Sequence, residues 1–328
     1  MMTMVTIANT STMTRQEWLE LRKKGIGGSD ASAVVGLNKY KSPFMLFLEK
    51  TGQVEADEIF ETDEDGAFIS GSEAAYFGTK DEAAVAAEFS LRTKLKVRRD
   101  NRMMAHKDHP WMIANIDRRV VGTNEILECK IASEYLKGEW EGDDLPQEYY
   151  IQGMHYLAVT GAEAVWFAVK IGGNKFVYKR IERDEDVIEN LIAIEKDFWE
   201  NHVMTGNAPD IDGSDASTGF LKALYPVGET GAEIELPDDA EPLIEQYHNA
   251  SEQLDLYKKQ KAEAENKLKA LVGEAEIGLA QSHLVEWKTV KAREMLDSKA
   301  LRAEHPDIYT KFVKVGKPTR RFAIKEAK

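Results

Sequence analysis

The segment from Trp111 to Ser133 constrains the fold more than any other part of the chain, because its pattern predicts a β-hairpin. Two apolar stretches rich in β-branched residues flank the polar triplet at 122–124, which is typical of a tight turn between antiparallel strands. A turn at this point would place Asp117 opposite residues 128–130. The sequence therefore predicts two paired strands with acidic residues facing each other.

The predicted hairpin would also bring a lysine to the carboxylates. Side chains alternate along a strand, so Glu128 and Lys130 would lie on one face and Cys129 on the other. Carboxylate oxygens bind hard divalent cations, a bound cation lowers the pKa of water, and an ammonium group can place that water beside a phosphate. The pattern indicates metal-dependent phosphodiester hydrolysis; a solvated charged hairpin is the alternative interpretation of the same residues.

The composition of the 328-residue chain is that of a globular protein with one large domain or one domain and an appendage. A net charge of -14 argues against a surface that binds nucleic acid everywhere. Basic residues cluster between Arg92 and Arg102, just before the hairpin, which favours a basic groove on an acidic exterior. The single cysteine, Cys129, excludes a disulfide framework and a four-cysteine zinc or iron-sulfur cluster supplied by this chain.

No apolar run approaches the roughly 20 residues of a membrane helix, and the polar start of the chain lacks the blocks of a signal peptide. We therefore expect a cytoplasmic protein without a membrane partner. Residues 1–13 are expected to be flexible, and 14–205 to form the main domain, in which helices flank a mixed sheet. Residues 206–239 are expected to be a linker, because the beginning of this segment is rich in Gly, Pro, Asp and Ser.

Residues 240–328 are expected to form a C-terminal extension, with a long polar helix over 240–274 followed by short strands and a basic tail. An amphipathic helix packed on the body is the expectation for 240–274, with a coiled arm or a partner-docking helix as alternatives. Near the N-terminus, GIGGSDAS lacks the Gly-Lys-Ser/Thr of a nucleotide-binding loop and follows a helix, so no nucleotide cofactor is expected. Its helix start could bind a DNA phosphate together with Arg22, or it could simply be a corner between helices.

Four segments occur in a distinctive order: WLELRKKGIGGSDASAVVG, GTKDE, NIDRRVVGTNEILECK and YYIQGMHYLAVTG. Together they resemble the YqaJ-type viral recombinases, the family within the PD-(D/E)xK nuclease superfamily that includes phage lambda exonuclease. The resemblance covers roughly residues 14–205. It implies an α/β (α+β) fold with a restriction-endonuclease-like core, a mixed central β-sheet flanked by helices.

The resemblance also implies an activity. The expected activity is that of a metal-dependent 5′-to-3′ exonuclease on linear double-stranded DNA. Such an enzyme leaves 3′ single strands for phage-type recombination by strand annealing. Mg²⁺ is the expected metal, with Mn²⁺ possible. The expected partners are DNA ends and a single-strand annealing protein, with a homotrimeric ring as a possible assembly, in a phage or prophage protein of a bacterial host.

By the same resemblance, the metal ligands would be Glu82, Asp117, Glu128 and the backbone carbonyl of Cys129. Lys130 would position or activate the attacking water, and Gln152 would orient the site. Arg22 and Ser29 match positions that bind the 5′-terminal phosphate, whereas His155 is expected to be structural.

Two residues depart from the family pattern: Ile116 replaces the usual proline before the aspartate, and Asn115 replaces a small hydroxyl residue. Two other functions stay open. One is a PD-(D/E)xK endonuclease or nickase, which would use the same side chains without selecting DNA ends. The other is a non-catalytic DNA-binding recombination scaffold, in which the helix at 240–274 would recruit an annealing partner.

Overall fold

The structure is a computed structural model that describes residues 4–55, 60–63, 65, 67–316 and 318–325. It consists of two compact units, one ending at Leu224 and the other beginning at Tyr225. The helices of the first unit are α1 (Arg15–Arg22), α2 (Gly28–Val34), α3 (Pro43–Lys50), α4 (Glu73–Thr93), α5 (Gln147–Thr160), α6 (Glu185–Asp197, continued by a π-helical turn) and α7 (Asp215–Leu224). Its strands are β1 (Met4–Asn9), β2 (Phe60–Thr62), β3 (Phe68–Gly71), β4 (Val97–Arg99), β5 (Arg102–His106), β6 (Ile113–Ala114), β7 (Arg118–Val120), β8 (Glu125–Ala132), β9 (Ala164–Ile171) and β10 (Lys175–Glu182).

A mixed five-stranded sheet with the strand order β10-β9-β8-β7-β4 forms the centre of the first unit. β8 and β9 run parallel, which requires a crossover connection that α5 supplies, and the other neighbours are antiparallel. Phe89 of α4 packs with Leu127 on one face of the sheet, and Met154 of α5 belongs to the main core with Phe167 on the other. This arrangement confirms the predicted fold class, a mixed sheet flanked by helices.

The predicted hairpin is formed by β7 and β8, with Arg118 opposite Leu127 and Arg119 opposite Ile126. Gly122 has a φ of 91° in the turn, a conformation that glycine adopts without steric cost. Extending the register by one residue places Asp117 beside Glu128. The turn at 122–124 and the facing carboxylates are therefore as predicted.

The expectation of a flexible N-terminus was wrong for most of that segment. Residues Met4–Asn9 form β1, which pairs antiparallel with β5 in a second sheet of order β1-β5-β6. The sequence MVTIAN is rich in β-branched residues, and the exposed backbone edge of β5 gives it hydrogen-bonding partners. The Thr14–Glu17 capping box that begins α1 is present, with the Glu17 N–H donating to Thr14 Oγ1 at 3.2 Å.

The segment expected to be a linker, 206–239, contains the helix α7. Ala216 and Ser217 are buried, and Phe220 contacts Phe44 of α3 with 6.1 Å between ring centroids. The apolar spacing of ASTGFLKAL allows this packing although the residues before it are typical of a loop. The first unit therefore extends about twenty residues beyond the boundary that composition indicated.

The second unit contains α8 (Ala240–Val272), a hairpin of β11 (Ile277–Leu279) and β12 (Leu284–Glu286), and two short helices, α9 (Ser298–Glu304) and α10 (Pro306–Phe312). The long polar helix was predicted. None of the residues of α8, all of which are described, is buried, so the buried face expected of a helix packed on the body is not seen. In the described part of the chain, no helix is both long and apolar enough to span a lipid bilayer.

Candidate active site

The hairpin brings Asp117, Glu128 and Lys130 together on the central sheet. The backbone N–H of Cys129 donates a hydrogen bond to Asp117 Oδ2 at 2.7 Å, which fixes the aspartate against β8. Lys130 Nζ donates to Glu128 Oε1 at 3.0 Å, as expected for two residues on the same face of a strand. The same glutamate oxygen accepts a hydrogen bond from Gln152 Nε2 of α5 at 2.9 Å. Four of the predicted site residues thus form one cluster.

Charge in this cluster is concentrated and poorly solvated. Burial, together with the neighbouring Glu128 and Glu82, raises the pKa of Asp117 well above its usual value. Burial also raises the pKa of Glu128, although Lys130 partly offsets that effect. For Lys130, burial favours the neutral form, but the charges of Glu128, Tyr149 and Asp117 and the hydrogen bond to Glu128 together outweigh it and raise the lysine pKa. Two carboxylates that oppose each other's ionisation form a site where a cation is stabilising.

The carboxylate oxygens of Asp117 and Glu128 are suitable ligands for a divalent cation. Glu128 Oε2 is buried and has no hydrogen-bond partner among the described residues, whereas Oε1 has two. A buried, unpaired carboxylate oxygen is costly, and metal coordination would satisfy it. Across the described ranges, however, no group of three or more His, Cys, Asp or Glu side chains is arranged to hold a metal ion.

Glu82 lies near the cluster but is oriented by another residue. Its Oε1 accepts a hydrogen bond from Arg118 Nη1, and the same guanidinium nitrogen donates to the carbonyl of Asp117 at 2.8 Å. Sequence reasoning missed Arg118. The signal was available, because an arginine directly after the aspartate falls opposite Leu127 in the hairpin register and so faces α4, which carries Glu82.

Gln152 connects the carboxylates to the N-terminal helices. Its Nε2 donates to Glu128 and also lies 3.2 Å from Tyr156 Oη, one turn further along α5. The ring of Tyr156 lies against Gly28 of α2, where an added Cβ would approach Tyr156 Cε1 to 2.4 Å. Tyr156 separates the carboxylate cluster from the start of α2.

Arg22 and Ser29, the predicted phosphate-binding pair, lie together at the start of α2. Arg22 Nη2 donates to Ser29 Oγ at 2.7 Å and lies 3.4 Å from Asp30 Oδ1. The ammonium group of Lys50, whose side chain is only 5% exposed, lies 2.6 Å from Asp30 Oδ2. Burial opposes ionisation of Asp30, but Lys50 and Arg22 outweigh it and hold its pKa well below the usual range.

An open cavity of about 400 Å³ adjoins this group and is lined by Arg22, Asp30, Lys41 and Lys50, among others. The first backbone N–H of the helix start, that of Gly27, is already bonded to Asp30 Oδ2 at 3.0 Å. Arg22, which lines this cavity and donates to Ser29 Oγ, is therefore a better candidate than this amide for binding an anion there.

The remaining sequence predictions concern residues without a proposed chemical role. His155 is fully buried, with Nδ1 2.8 Å from Glu195 Oε1 and Nε2 2.9 Å from the carbonyl of Ile113, so it is structural as expected. Asn115 accepts a hydrogen bond from Trp18 Nε1 at 2.8 Å, and Ile116 is buried in the main core. Both departures from the family pattern thus have packing roles. Cys129 points to the α4 side, as predicted, and burial raises the pKa of its thiol.

Comparison with known proteins places this site in a family. Residues 17–163 match the family model described as "YqaJ-like viral recombinase domain". The chain is 44% identical over 322 residues to the uncharacterized protein YqaJ of Bacillus subtilis (strain 168), covering 98% of this chain and 97% of that protein. The matched residues include the hairpin and most of the elements around it.

Solved structures with similar folds include two exonucleases. An alkaline exonuclease (LHK-Exo) from Laribacter hongkongensis is 17% identical and has a TM-score of 0.46, covering 65% of this chain and 100% of that one. A phage-related exonuclease from Haemophilus somnus 129PT is 11% identical, with a TM-score of 0.41, covering 58% and 99%. The extent and identity of the match to the Bacillus protein, together with the family model, show that the chain belongs to the YqaJ-like viral recombinase family.

Proposed function

We propose that this chain is a metal-dependent 5′-to-3′ exonuclease that digests linear double-stranded DNA and leaves 3′ single strands for recombination by strand annealing. The observation that carries the proposal is the hairpin cluster. It combines two carboxylates with raised pKa values, a buried carboxylate oxygen of Glu128 without a partner, and Lys130 on the same strand face. Membership in a viral recombinase family supports a role in recombination.

Asp117 and Glu128 would hold the metal, with Glu82 and the carbonyl of Cys129 completing its ligands. A divalent cation, Mg²⁺ or Mn²⁺, would supply Lewis-acid activation of a water molecule and of the scissile phosphate. Glu82 is hydrogen-bonded to Arg118, so its use as a ligand requires a change of partner at that carboxylate. Arg118 would then keep its hydrogen bond to the carbonyl of Asp117.

Lys130 would place the attacking water and balance charge on the phosphate. The hydrogen bond to Glu128 holds its ammonium group beside the carboxylates, which suits an electrostatic role. Gln152 would act as a positioning residue, because its amide holds Glu128 through Oε1. The other oxygen of Glu128 then faces away from the amide and is available for coordination.

Arg22 and Ser29 would bind the 5′-terminal phosphate. The support is geometric: the two side chains are in contact, Arg22 lines an open cavity, and its guanidinium lies beside Asp30, which also pairs with Lys50. A guanidinium can form bidentate hydrogen bonds with a phosphate. A terminal phosphate carries more negative charge and one more non-bridging oxygen than an internal phosphodiester, which would favour a DNA end.

The family resemblance extends the proposal to assembly and partners. A single-strand annealing protein would receive the 3′ strand in the cytoplasm of a bacterial host, and three copies would form a ring around the duplex. Light scattering tests the ring directly, since a mass that is not a multiple of three chains would contradict it.

The activity is tested by comparing three DNA substrates of equal length: linear duplex with 5′-phosphate, linear duplex with 5′-hydroxyl, and covalently closed circle. We expect Mg²⁺-dependent digestion of both linear forms, faster with the phosphate, and no digestion of the circle. Arg22→Lys keeps the charge but loses the bidentate geometry, so it should reduce the preference for 5′-phosphate. Equal digestion of circles would replace the exonuclease by an endonuclease.

A further inference from the structure

The strand β4, at one end of the central sheet, and the residue before it carry only basic charged side chains: Lys96, Arg98 and Arg99. All three residues are exposed, and none of them forms an ion pair with an acidic side chain in the described ranges. We refer to these three residues as the basic edge. In a chain with a net charge of -14, they form a local excess of positive charge.

The pairing of β4 with β7 adds to this excess, because it places arginines directly opposite each other. The pairs are Arg98 with Arg119 and Arg99 with Arg118. Like charges in such positions are destabilising. The two arginines of β7 have acidic partners, since Arg118 donates to Glu82 and Arg119 Nε lies 2.7 Å from Asp100 Oδ2. The two arginines of β4 have none among the described residues, so their charge is not compensated within the fold.

Charged side chains on an outer strand can simply prevent two sheets from joining edge to edge. The strand β10, at the other end of the same sheet, carries charges of both signs. Its Arg180 Nη2 lies 2.9 Å from Glu125 Oε1, and Nη1 lies 2.7 Å from Glu182 Oε1. Protection against edge-to-edge pairing requires charge, but it does not require charge of one sign. The uniform charge of the basic edge therefore indicates an anionic ligand.

The basic edge lies beside the candidate active site. The backbone N–H of Asp100, the residue after Arg99, donates to the carbonyl of Asp117 at 3.4 Å. Arg118 donates to the same carbonyl at 2.8 Å. Arg99 and Arg118 are cross-strand neighbours, and the Cβ atoms of such neighbours lie about 5 Å apart in antiparallel sheets. An anion bound along the basic edge would therefore lie next to the carboxylates of the hairpin.

We propose that the basic edge binds the phosphate backbone of double-stranded DNA beside the active site, an inference that rests on the proposed function. Arg99 lies on the α4 face with Val97, and the other two residues lie on the opposite face. Because β4 ends the sheet, a ligand that lies along it can contact side chains of both faces. Residues 94–99 include no aromatic side chain on which the bases of single-stranded DNA could stack, which favours a duplex.

The test measures the affinity of full-length protein for a linear duplex with 5′-hydroxyl ends over a range of salt concentrations, with calcium in place of magnesium to limit digestion. It compares the wild type with the double variant Arg98→Gln/Arg99→Gln. If each arginine contacts one phosphate, the slope of log Kd against log salt should become less steep by about 1.8 in this variant. The matched control is Lys175→Gln/Arg180→Gln, which removes two positive charges from β10 and should keep the wild-type slope.

An unchanged slope in Arg98→Gln/Arg99→Gln, or the same decrease in both double variants, would overturn the inference. A decrease that occurs with single-stranded DNA of the same length but not with the duplex would also overturn it. The melting temperature of Arg98→Gln/Arg99→Gln should equal or exceed that of the wild type, because the substitutions remove repulsion between arginines. The outcome is separate from that of the nuclease proposal. A wild type that binds with the expected slope difference but digests no DNA would reject only the nuclease activity.

Discussion

Glu128 is held in place through only one of its two carboxylate oxygens. Gln152 and Lys130 both donate to Oε1, and Oε2 is buried without a hydrogen-bond partner among the described residues. Nearby, Asp117 is fixed by the Cys129 amide in the same way, through Oδ2. If Asp117 and Glu128 hold a metal ion, as we propose, these anchors would reduce the need for the ion to reorient them.

Asp100 is a buried carboxylate whose ion pairs stabilise the fold instead. Burial opposes its ionisation, but hydrogen bonds from Arg102 and Arg119 outweigh that effect and lower its pKa from 3.8 to about 2. A lowered pKa stabilises the folded state above the unfolded value of 3.8, and this contribution is lost as the pH falls to about 2.

We therefore expect Asp100→Asn to destabilise the protein at neutral pH by about 2 kcal/mol. The difference from wild type should shrink between about pH 3.8 and about pH 2. Urea denaturation followed by circular dichroism at several pH values measures it. A difference that does not change with pH would show that charge on Asp100 is not the stabilising factor.

For individual residues, the sequence predicted those site residues whose partners lie within the same hairpin. Asp117, Glu128 and Lys130 follow from strand alternation and one turn. Gln152, Glu82, Arg22 and Ser29 came from the family resemblance, since no local pattern relates α5 or α4 to the hairpin. Arg118 was missed although the hairpin register places it on the α4 face, because that register does not show which residue of α4 it contacts.

Among the helices, the contact of α2 with α5 brings the predicted phosphate-binding residues close to the carboxylates. It requires glycine at position 28, because a Cβ there would lie 2.4 Å from the ring of Tyr156, whose hydroxyl contacts Gln152. Gly28 of GIGGSDAS therefore serves close packing of α2 against α5, a role that neither interpretation of that motif named. Packing and phosphate binding are compatible here, since Ser29 is the next residue.

Substituting Gly28 by alanine tests this contact. We expect Gly28→Ala to destabilise the protein by about 1–3 kcal/mol through overpacking against Tyr156. Gly78→Ala is the matched control, because Gly78 lies within α4 and a Cβ there has no atom within 4 Å. That control should be neutral or slightly stabilising, as alanine favours helix. Thermal melting measures both variants, and equal melting temperatures would contradict the packing argument.

Elements with strong local signals were predicted well, and those that depend on distant partners were not. The turn at 122–124 and the long polar helix over 240–274 were predicted from local patterns, and they are present as the turn at Gly122 and as α8. β1 was expected to be flexible, because its strand character is realised only by pairing with β5, about a hundred residues away. Pairing over such a separation has no signature in a local sequence window.

The whole molecule consists of two units with different internal organisation. The first has a continuous core from Ile26 to Phe198, with Phe220 of α7 packed against it, whereas no residue in the described part of the second is buried. We expect the candidate nuclease site to be complete within the first unit, because every residue assigned to it lies before Leu224.

A chain that ends at Leu224 should therefore keep its activity on linear duplex DNA. A chain that ends at residue 214 should have a lower melting temperature than the chain that ends at Leu224. The shorter chain loses α7, with buried Ala216 and Ser217 and the contact of Phe220 with Phe44. Thermal melting and a digestion assay on both proteins measure this. Equal stability of the two chains would show that α7 does not belong to the folded unit.

The central claim is tested most directly by comparing the turnover of Lys130→Ala with that of Lys170→Ala on the neighbouring strand. Lys170 pairs with Asp81 at 2.7 Å and has no role in the proposed chemistry, so it controls for loss of a lysine from this sheet. With Mg²⁺ and 5′-phosphorylated linear duplex, we predict that Lys130→Ala is slower by about 100-fold or more while its melting temperature and its DNA binding in calcium are retained. Lys170→Ala should digest the duplex at nearly the wild-type rate. Wild-type turnover by Lys130→Ala would contradict the assignment of the hairpin as the nuclease site.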